Sequence, residues 1–296
     1  MKLRRLAVLA AAIALSTTLV ACSSGSSDSD SSASTTVTIG ITDISKDYWT
    51  TFKDLAADQG ITVELQNFTD YQQPNPILTQ GQLDANQFQH LLFLANYNVN
   101  ADEDLTPIGA TVVYQLGLYT AKGYAEPSDI PDGGQIAIPN DATNQARALL
   151  VLQSAGLITL NGGGNALSTP ADIDESASRV TVVPVDANQT AVQLQSLDGA
   201  VINNNFAADA NLDPTSAIYS DLEDLTAAEP YINVWAVRKE DVDDATLNKL
   251  VEIYHDPSVI GALVEENKGT AVEVDKTPEE LQTILTNLED LIRAQG

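Results

Sequence analysis

From residue 37 to the end of the chain, short apolar runs of period two alternate with longer segments of helical spacing, and this alternation constrains the fold most. Residues 37–42, 61–68, 111–120, 135–138, 180–185, 199–202 and 231–238 read as strands or extended segments. Between them, 48–57, 74–80, 87–95, 143–155, 190–197, 242–254, 257–266 and 278–294 carry apolar residues at the i, i+3, i+4 spacing of helices. A turn at Pro131-Asp132-Gly133-Gly134, a stop at Gly156 and a loop at Asn161-Gly162-Gly163-Gly164-Asn165 punctuate the series. Strands that take turns with helices in this way argue an α/β fold with mainly parallel sheets, because parallel neighbours need a crossover helix.

The first 36 residues have another character. Lys2, Arg4 and Arg5 precede an apolar stretch at 6–15 that is too short to span a hydrocarbon core of ~30 Å. It reads as a secretory signal, closed by Leu19-Val20-Ala21-Cys22. That tetrapeptide resembles the lipobox of bacterial lipoproteins, in which the cysteine is acylated, palmitate included, and the chain is cut just before it. The other reading is an ordinary signal with an incidental cysteine. On the first, residues 1–21 are the signal peptide, and 22–36 are the lipidated Cys22 with a disordered Ser-rich tether. The protein is then held at the cell membrane on its extracytoplasmic face, through its lipid anchor only.

Charge and composition exclude several classes. With 41 Asp and Glu against 14 Lys and Arg, the formal charge is −27, which repels a phosphate backbone and argues against nucleic-acid binding. Cys22 is the only cysteine, so neither an intrachain disulfide nor cysteine catalysis is available. No HExxH, Walker, nucleophile-elbow or dinucleotide glycine motif occurs, and His90 and His255 are the only imidazoles. No catalytic residue, metal site or cofactor is therefore expected. A carboxylate pair of the glycosidase kind is not excluded by counting, though aromatics at 5% are few for a sugar-stacking cleft.

Five blocks carry a specific resemblance. Phe68-Thr69-Asp70-Tyr71-Gln72-Gln73-Pro74-Asn75 is followed by Leu83-Asp84-Ala85-Asn86-Gln87-Phe88-Gln89-His90. Farther on stand Pro139-Asn140-Asp141-Ala142-Thr143-Asn144-Gln145-Ala146-Arg147, then Ala200-Val201-Ile202-Asn203 and Pro230-Tyr231-Ile232-Asn233. In this order, behind a lipobox, they resemble the methionine-binding lipoproteins of bacterial ABC importers, the NlpA-type lipoprotein family. The resemblance spans the chain from about residue 37.

It implies a type 2 periplasmic-binding-protein fold, two lobes joined by two crossovers, with lobe one at 37–120 plus 231–296 and lobe two at 121–230. A free amino acid needs a cation for its α-carboxylate, and Arg147, early in its helix, is the arginine in a plausible site region; a surface arginine covering its own helix is the alternative. Asn203 holds the ammonium or the carboxylate through its amide, with Asn144 assisting, or either caps or turns the backbone. Tyr71, Phe88 and His90 correspond to the family's side-chain pocket; core packing for Phe88 and a structural role for His90 are the competing readings. Phe93 stands where the family often has tyrosine, and residues 40–49 lack the usual glycine-rich opening. The expected function is capture of L-methionine and its delivery to the permease and ATPase subunits of an ABC importer, by a monomer without covalent chemistry. A methionine-containing dipeptide or another apolar amino acid is the alternative ligand, and an anchored hydrolase the alternative class.

Overall fold

The computed structural model describes residues 35–222 and 228–295. The signal peptide, Cys22 and most of the tether lie outside the described residues. Strand β1 (Thr35–Ile41) takes in Thr35 and Thr36, read above as tether, because both pair in register with Ile61 and Thr62 of β2 (Ile61–Asn67).

Helix α1 (Tyr48–Asp58) joins β1 to β2, and α2 (Pro74–Thr79) leads into β3 (Ala85–His90). Helix α3 (Leu91–Ala101) follows without a break, then β4 (Thr106–Ala110) and β5 (Val112–Tyr114). The expected helix at 87–95 is thus corrected: its first half is strand. Residues 85–90 are wedged between β1 on one side and a later antiparallel strand on the other. Their buried amides hid the strand from a reading by hydropathy. Asn86 and Gln89 bond to Asn75 at 2.6–2.9 Å, so each polar side chain is satisfied inside the protein.

After β5 the chain builds a second sheet from β6 (Gly117–Tyr119), β7 (Gly134–Pro139), α4 (Ala142–Ser154), β8 (Val180–Val185), α5 (Thr190–Gln193), β9 (Gly199–Ile202), α6 (Asn204–Asp209) and β10 (Tyr219–Ser220). It then returns to the first with β11 (Asn233–Val237), followed by α7 (Ala245–Tyr254), α8 (Pro257–Glu266), β12 (Ala271–Glu273) and α9 (Pro278–Arg293). The sheet orders are β2-β1-β3-β11-β4 and β10-β6-β9-β7-β8, with β12 paired to β5 apart. Each sheet has a parallel core, β2-β1-β3 and β9-β7-β8, as the strand–helix alternation leads one to expect. Antiparallel strands enter where the chain passes between sheets. The first passage falls at 115–116 and the return between 221 and 232.

Alternate residues of β11 go to opposite faces: Trp235 and Val237 pack with Trp49, Phe52 and Tyr254, while Val234 and Ala236 pack with Leu91, Leu94, Leu281 and Leu285. That period of two is what a central strand covered on both faces must show. Helix α9 begins with a full capping box, Thr277 and Glu280 each accepting the other's backbone N–H, and lays Leu281, Leu285 and Leu288 at i, i+4, i+7 spacing on this layer. Among the described residues no helix is long and apolar enough to cross a membrane.

Candidate functional site

Strand ends and helix starts converge on one cleft. Thr42 and Asp43 follow β1, Gln89 and His90 end β3, Asn144 and Arg147 lie on α4 after β7, and Asn203 to Asn205 follow β9. Asn233 opens β11, which runs antiparallel to β3, so its first residue faces His90 at that same edge. This is the carboxyl-terminal edge of parallel strands, where open α/β sheets leave a crevice for ligand. The cleft encloses about 650 Å³ of empty space, part of it open to solvent. All seven residues singled out from the sequence, Tyr71, Phe88, His90, Phe93, Asn144, Arg147 and Asn203, line it.

Arg147 is only 5% exposed, which rejects the surface reading. Its Nε donates to Asp221 Oδ2 at 2.6 Å and Nη2 to the Tyr114 carbonyl at 2.7 Å. The Tyr231 ring lies 4.2 Å below the guanidinium carbon. Asp221 in turn accepts the Leu116 N–H at 2.8 Å, so one carboxylate ties the guanidinium to both passages between the sheets. Among the described residues Nη1 makes no hydrogen bond to protein, and it is the edge left for an anion.

The start of α4 is itself not an anion site. Asp141 caps it, accepting from the Asn144 N–H at 3.0 Å, from the Asn144 side-chain amide at 3.0 Å and from Thr143 Oγ1 at 3.2 Å. Burial raises the Asp141 carboxyl above its usual range, opposed by these bonds. The Asn144 N–H therefore serves the protein's own carboxylate, and Arg147 is the charged donor in the cleft lining. Asn144 Oδ1 accepts from Asn203 Nδ2 at 2.9 Å, and Asn203 Oδ1 is buried without a partner. Although Asn203 precedes α6, its side chain makes no cap bond. An unsatisfied buried acceptor of this kind is costly and calls for a donor from outside the protein.

His90 combines two of the roles weighed from the sequence. It caps α3, its Nδ1 accepting the Phe93 N–H at 3.1 Å, and it also lines the cleft. Burial first, and the Arg147 charge second, lower its pKa to about 3, with Asn144 pulling slightly the other way. The ring is therefore neutral, with Nδ1 as acceptor and the proton on Nε2, a buried atom without a full hydrogen bond.

Three rings form a further part of the cleft wall. Tyr71, Phe88 and Phe93 lie with centroids 5.8–6.2 Å apart, and Phe206 meets Tyr71 at 4.9 Å. Phe88 is half-buried, with its ring in the cleft wall rather than sealed in the core. The Tyr71 hydroxyl donates to Asn205 Oδ1, and Asn205 Nδ2 donates to the Thr42 carbonyl at 3.4 Å. Burial above all raises the Tyr71 phenol well above its ordinary value.

Sequence reasoning missed Asp43, Asn205, Asn233, Asp221 and Tyr231. Asp43 follows a strand end, and Asn233 and Tyr231 lie in the Pro230–Asn233 block already singled out, so position carried a signal for three of them. Among the described residues no cluster of His, Cys, Asp and Glu has the spacing to hold a metal ion.

Comparison with known proteins finds relatives in sequence and in fold. The family model described as NlpA lipoprotein matches residues 37–274. A D-methionine-binding lipoprotein MetQ of Salmonella typhi is 35% identical over 220 residues, covering 72% of this chain and 78% of its own. The substrate binding protein of a methionine transporter from Streptococcus pneumoniae superposes with a TM-score of 0.76 at 35% identity, covering 81% of this chain and 96% of that one. A nutrient binding protein from Burkholderia cenocepacia, solved bound to methionine, gives 0.73 at 35% identity, covering 81% and 100%.

Proposed function

The chain belongs to the NlpA lipoprotein family, and from that premise we propose that it is a lipid-anchored extracytoplasmic receptor that captures L-methionine and delivers it to an ABC importer. It is a binding protein and not an enzyme. The ligand's charge pattern suits the cleft. The α-carboxylate pairs with the Nη1 edge of Arg147, a charged hydrogen bond worth ~1.5–3 kcal/mol net. Asn203 Oδ1 accepts one ammonium N–H, and neutral His90 presents its Nε2–H. The thioether packs among Tyr71, Phe88 and Phe93, each sulfur–aromatic contact adding ~0.3–1.5 kcal/mol.

The observation that carries this reading is the convergence of a buried arginine edge and an unpartnered buried amide oxygen on a ring-walled cleft. Methionine as the ligand is supported by the relatives, one of whose solved structures is the substrate binding protein of a methionine transporter and another of which is bound to methionine. In this reading the two lobes are the two five-stranded sheets with their helices, expected at 37–120 plus 231–296 and at 121–230. Ligand contacts on both lobes favour the closed arrangement over the open one. Cys22 carries the anchor, the permease and ATPase subunits receive the cargo, and the receptor works as a monomer.

Thermal unfolding against the twenty amino acids and a few methionyl dipeptides tests the reading, on protein unfolded and refolded to strip bound ligand. A selective rise with L-methionine supports it. A rise only with dipeptides or another amino acid overturns the ligand, and no rise at all overturns the receptor.

A further inference from the structure

Arg147 meets its counter-charge inside the protein, in Asp221, whereas Asp43, in the same cleft wall, meets none. Its oxygens each accept one neutral donor: Oδ2 from the Tyr48 hydroxyl and Oδ1 from Trp49 Nε1 at 2.9 Å. Among the described residues no cation stands within ion-pair distance of it. Lys46, the nearest basic residue in sequence, pairs with Glu266 at 3.6 Å. Arg147 is neutralised by Asp221, and among the described residues Asp43 is the one carboxylate in the cleft lining, Asp141 lying behind Asn144 as the cap of α4. Burying a carboxylate without a cation is unfavourable, and an incoming positive group relieves it.

The position of Asp43 relative to the ligand contacts follows from the backbone. The Thr42 carbonyl accepts from Asn205, on the same segment as Asn203. Asp43 is thereby held against the segment whose Asn203 Oδ1 awaits a donor.

We propose that Asp43 is the counter-charge for the ligand's ammonium group and so makes the cleft select amines over otherwise identical acids. This rests on the amino-acid receptor reading but not on methionine as the particular amino acid. The ammonium has three N–H groups: one reaches Asn203 Oδ1 and another the Asp43 carboxylate. Tyr48 and Trp49 are positioning residues, which hold the carboxylate in the wall.

The test is a cycle of one protein change against one ligand change. Asp43→Asn keeps an acceptor for Trp49 and a partner for Tyr48 but removes the charge, while 4-(methylthio)butanoate is methionine without its ammonium. Calorimetry of the refolded protein measures both ligands on both proteins, with circular dichroism and unfolding temperature reporting that the variant is folded. Wild type is expected to prefer L-methionine to the desamino acid by about 10- to 100-fold. In Asp43→Asn, L-methionine should weaken by about that factor while the desamino acid holds or tightens.

Equal weakening of both ligands makes Asp43 merely structural and overturns the proposal, as does an unchanged preference in the variant. Should the variant fail to fold, Asp43→Glu, which keeps the charge but displaces it, takes its place and should narrow the preference for L-methionine over the desamino acid; an unchanged preference there, or equal affinity of wild type for the two ligands, overturns the proposal. If wild type ignores methionine but binds another α-amino acid, the methionine reading falls, and the cycle is run with that amino acid and its desamino acid. If none of the twenty binds, both readings fall.

Discussion

The two ends of the cleft are built on different principles. At the Arg147 end the guanidinium is buried, bonded to Asp221 and to the Tyr114 carbonyl, and stacked on Tyr231. Every contact there is directional, and Asp221 is itself fixed by the Leu116 N–H. At the ring end Tyr71, Phe88 and Phe93 touch edge to face or tilted, and one hydroxyl bond to Asn205 locates the wall. Ring contacts are broad and tolerate small shifts, whereas a forked charged bond does not. On the proposed function, the comparison assigns the constant part of an amino acid to a rigid network and its variable part to an adjustable surface.

The sharpest way to break that contrast is Arg147→Ala, which removes the anion's partner and leaves Asp221 unpaired. Ligand affinity measured by calorimetry should fall about a hundredfold or more. Arg147→Lys should recover only part, since an ammonium cannot reproduce the fork. A loss of less than about threefold in the alanine variant would place the carboxylate elsewhere.

His90 offers the next largest effect, on stability. Burial holds its folded pKa near about 3, below the ordinary 6.5 of the unfolded chain, so protonation favours unfolding. Its contribution is full above about pH 6.5 and is lost as pH falls towards about 3. His90→Asn keeps an N-cap residue on α3 but removes the titration. Urea unfolding at pH 7 and pH 5 should cost wild type about 2 kcal/mol more than the variant between those two values. Asp43 and Asp141 have raised carboxyls that lean the opposite way, and both proteins share them. Equal losses in the two proteins would mean that His90 is not the titrating group.

Asn203→Ala should weaken ligand binding about tenfold, because the unpartnered acceptor is lost while the aromatic wall stays. Unchanged affinity would show that no ligand N–H reaches it. The smallest changes belong to the ring end. Tyr71→Phe, which frees Asn205, should cost ~0.5–1.5 kcal/mol in affinity without reordering a panel of amino acids. Phe93→Tyr should alter affinity less than about threefold but change the ranking of side chains. A larger loss of affinity in Phe93→Tyr than in Arg147→Ala would reverse the assignment of rigid and adjustable ends.

Much of this architecture was legible in the residue pattern. Period-two runs at 61–68 and 180–185 became β2 and β8, and the segment at 278–294 became α9, because in each the apolar spacing is uninterrupted and the ends carry caps or turns. Residues 85–90 misled because a strand covered on both faces can bury amides once a neighbouring Asn75 satisfies them, and hydropathy has no term for that pairing. The site was legible where one residue type had few uses, as with Arg147, and where blocks resembled a family, as with Tyr71 and His90. Asp43 was not: one aspartate among 41 acidic residues is anonymous until a fold buries it beside Tyr48 and Trp49. Asp221 was equally hidden, since its role depends on Arg147 arriving from a distant helix.

The interruption of the first sheet has a consequence for the order of events as the chain folds. Strands β1 to β4 precede residue 111, but the strand that joins β3 to β4 is β11, which begins only at Asn233. All strands of the second sheet lie between Gly117 and Ser220 and are complete in the chain before that point. Pairing across so long a loop is slow relative to local contacts. The sheet that starts first therefore closes last, with an open gap between β3 and β4 until β11 inserts. Because Asn233 comes to rest opposite His90, the edge that lines the cleft is complete only once β11 is in place.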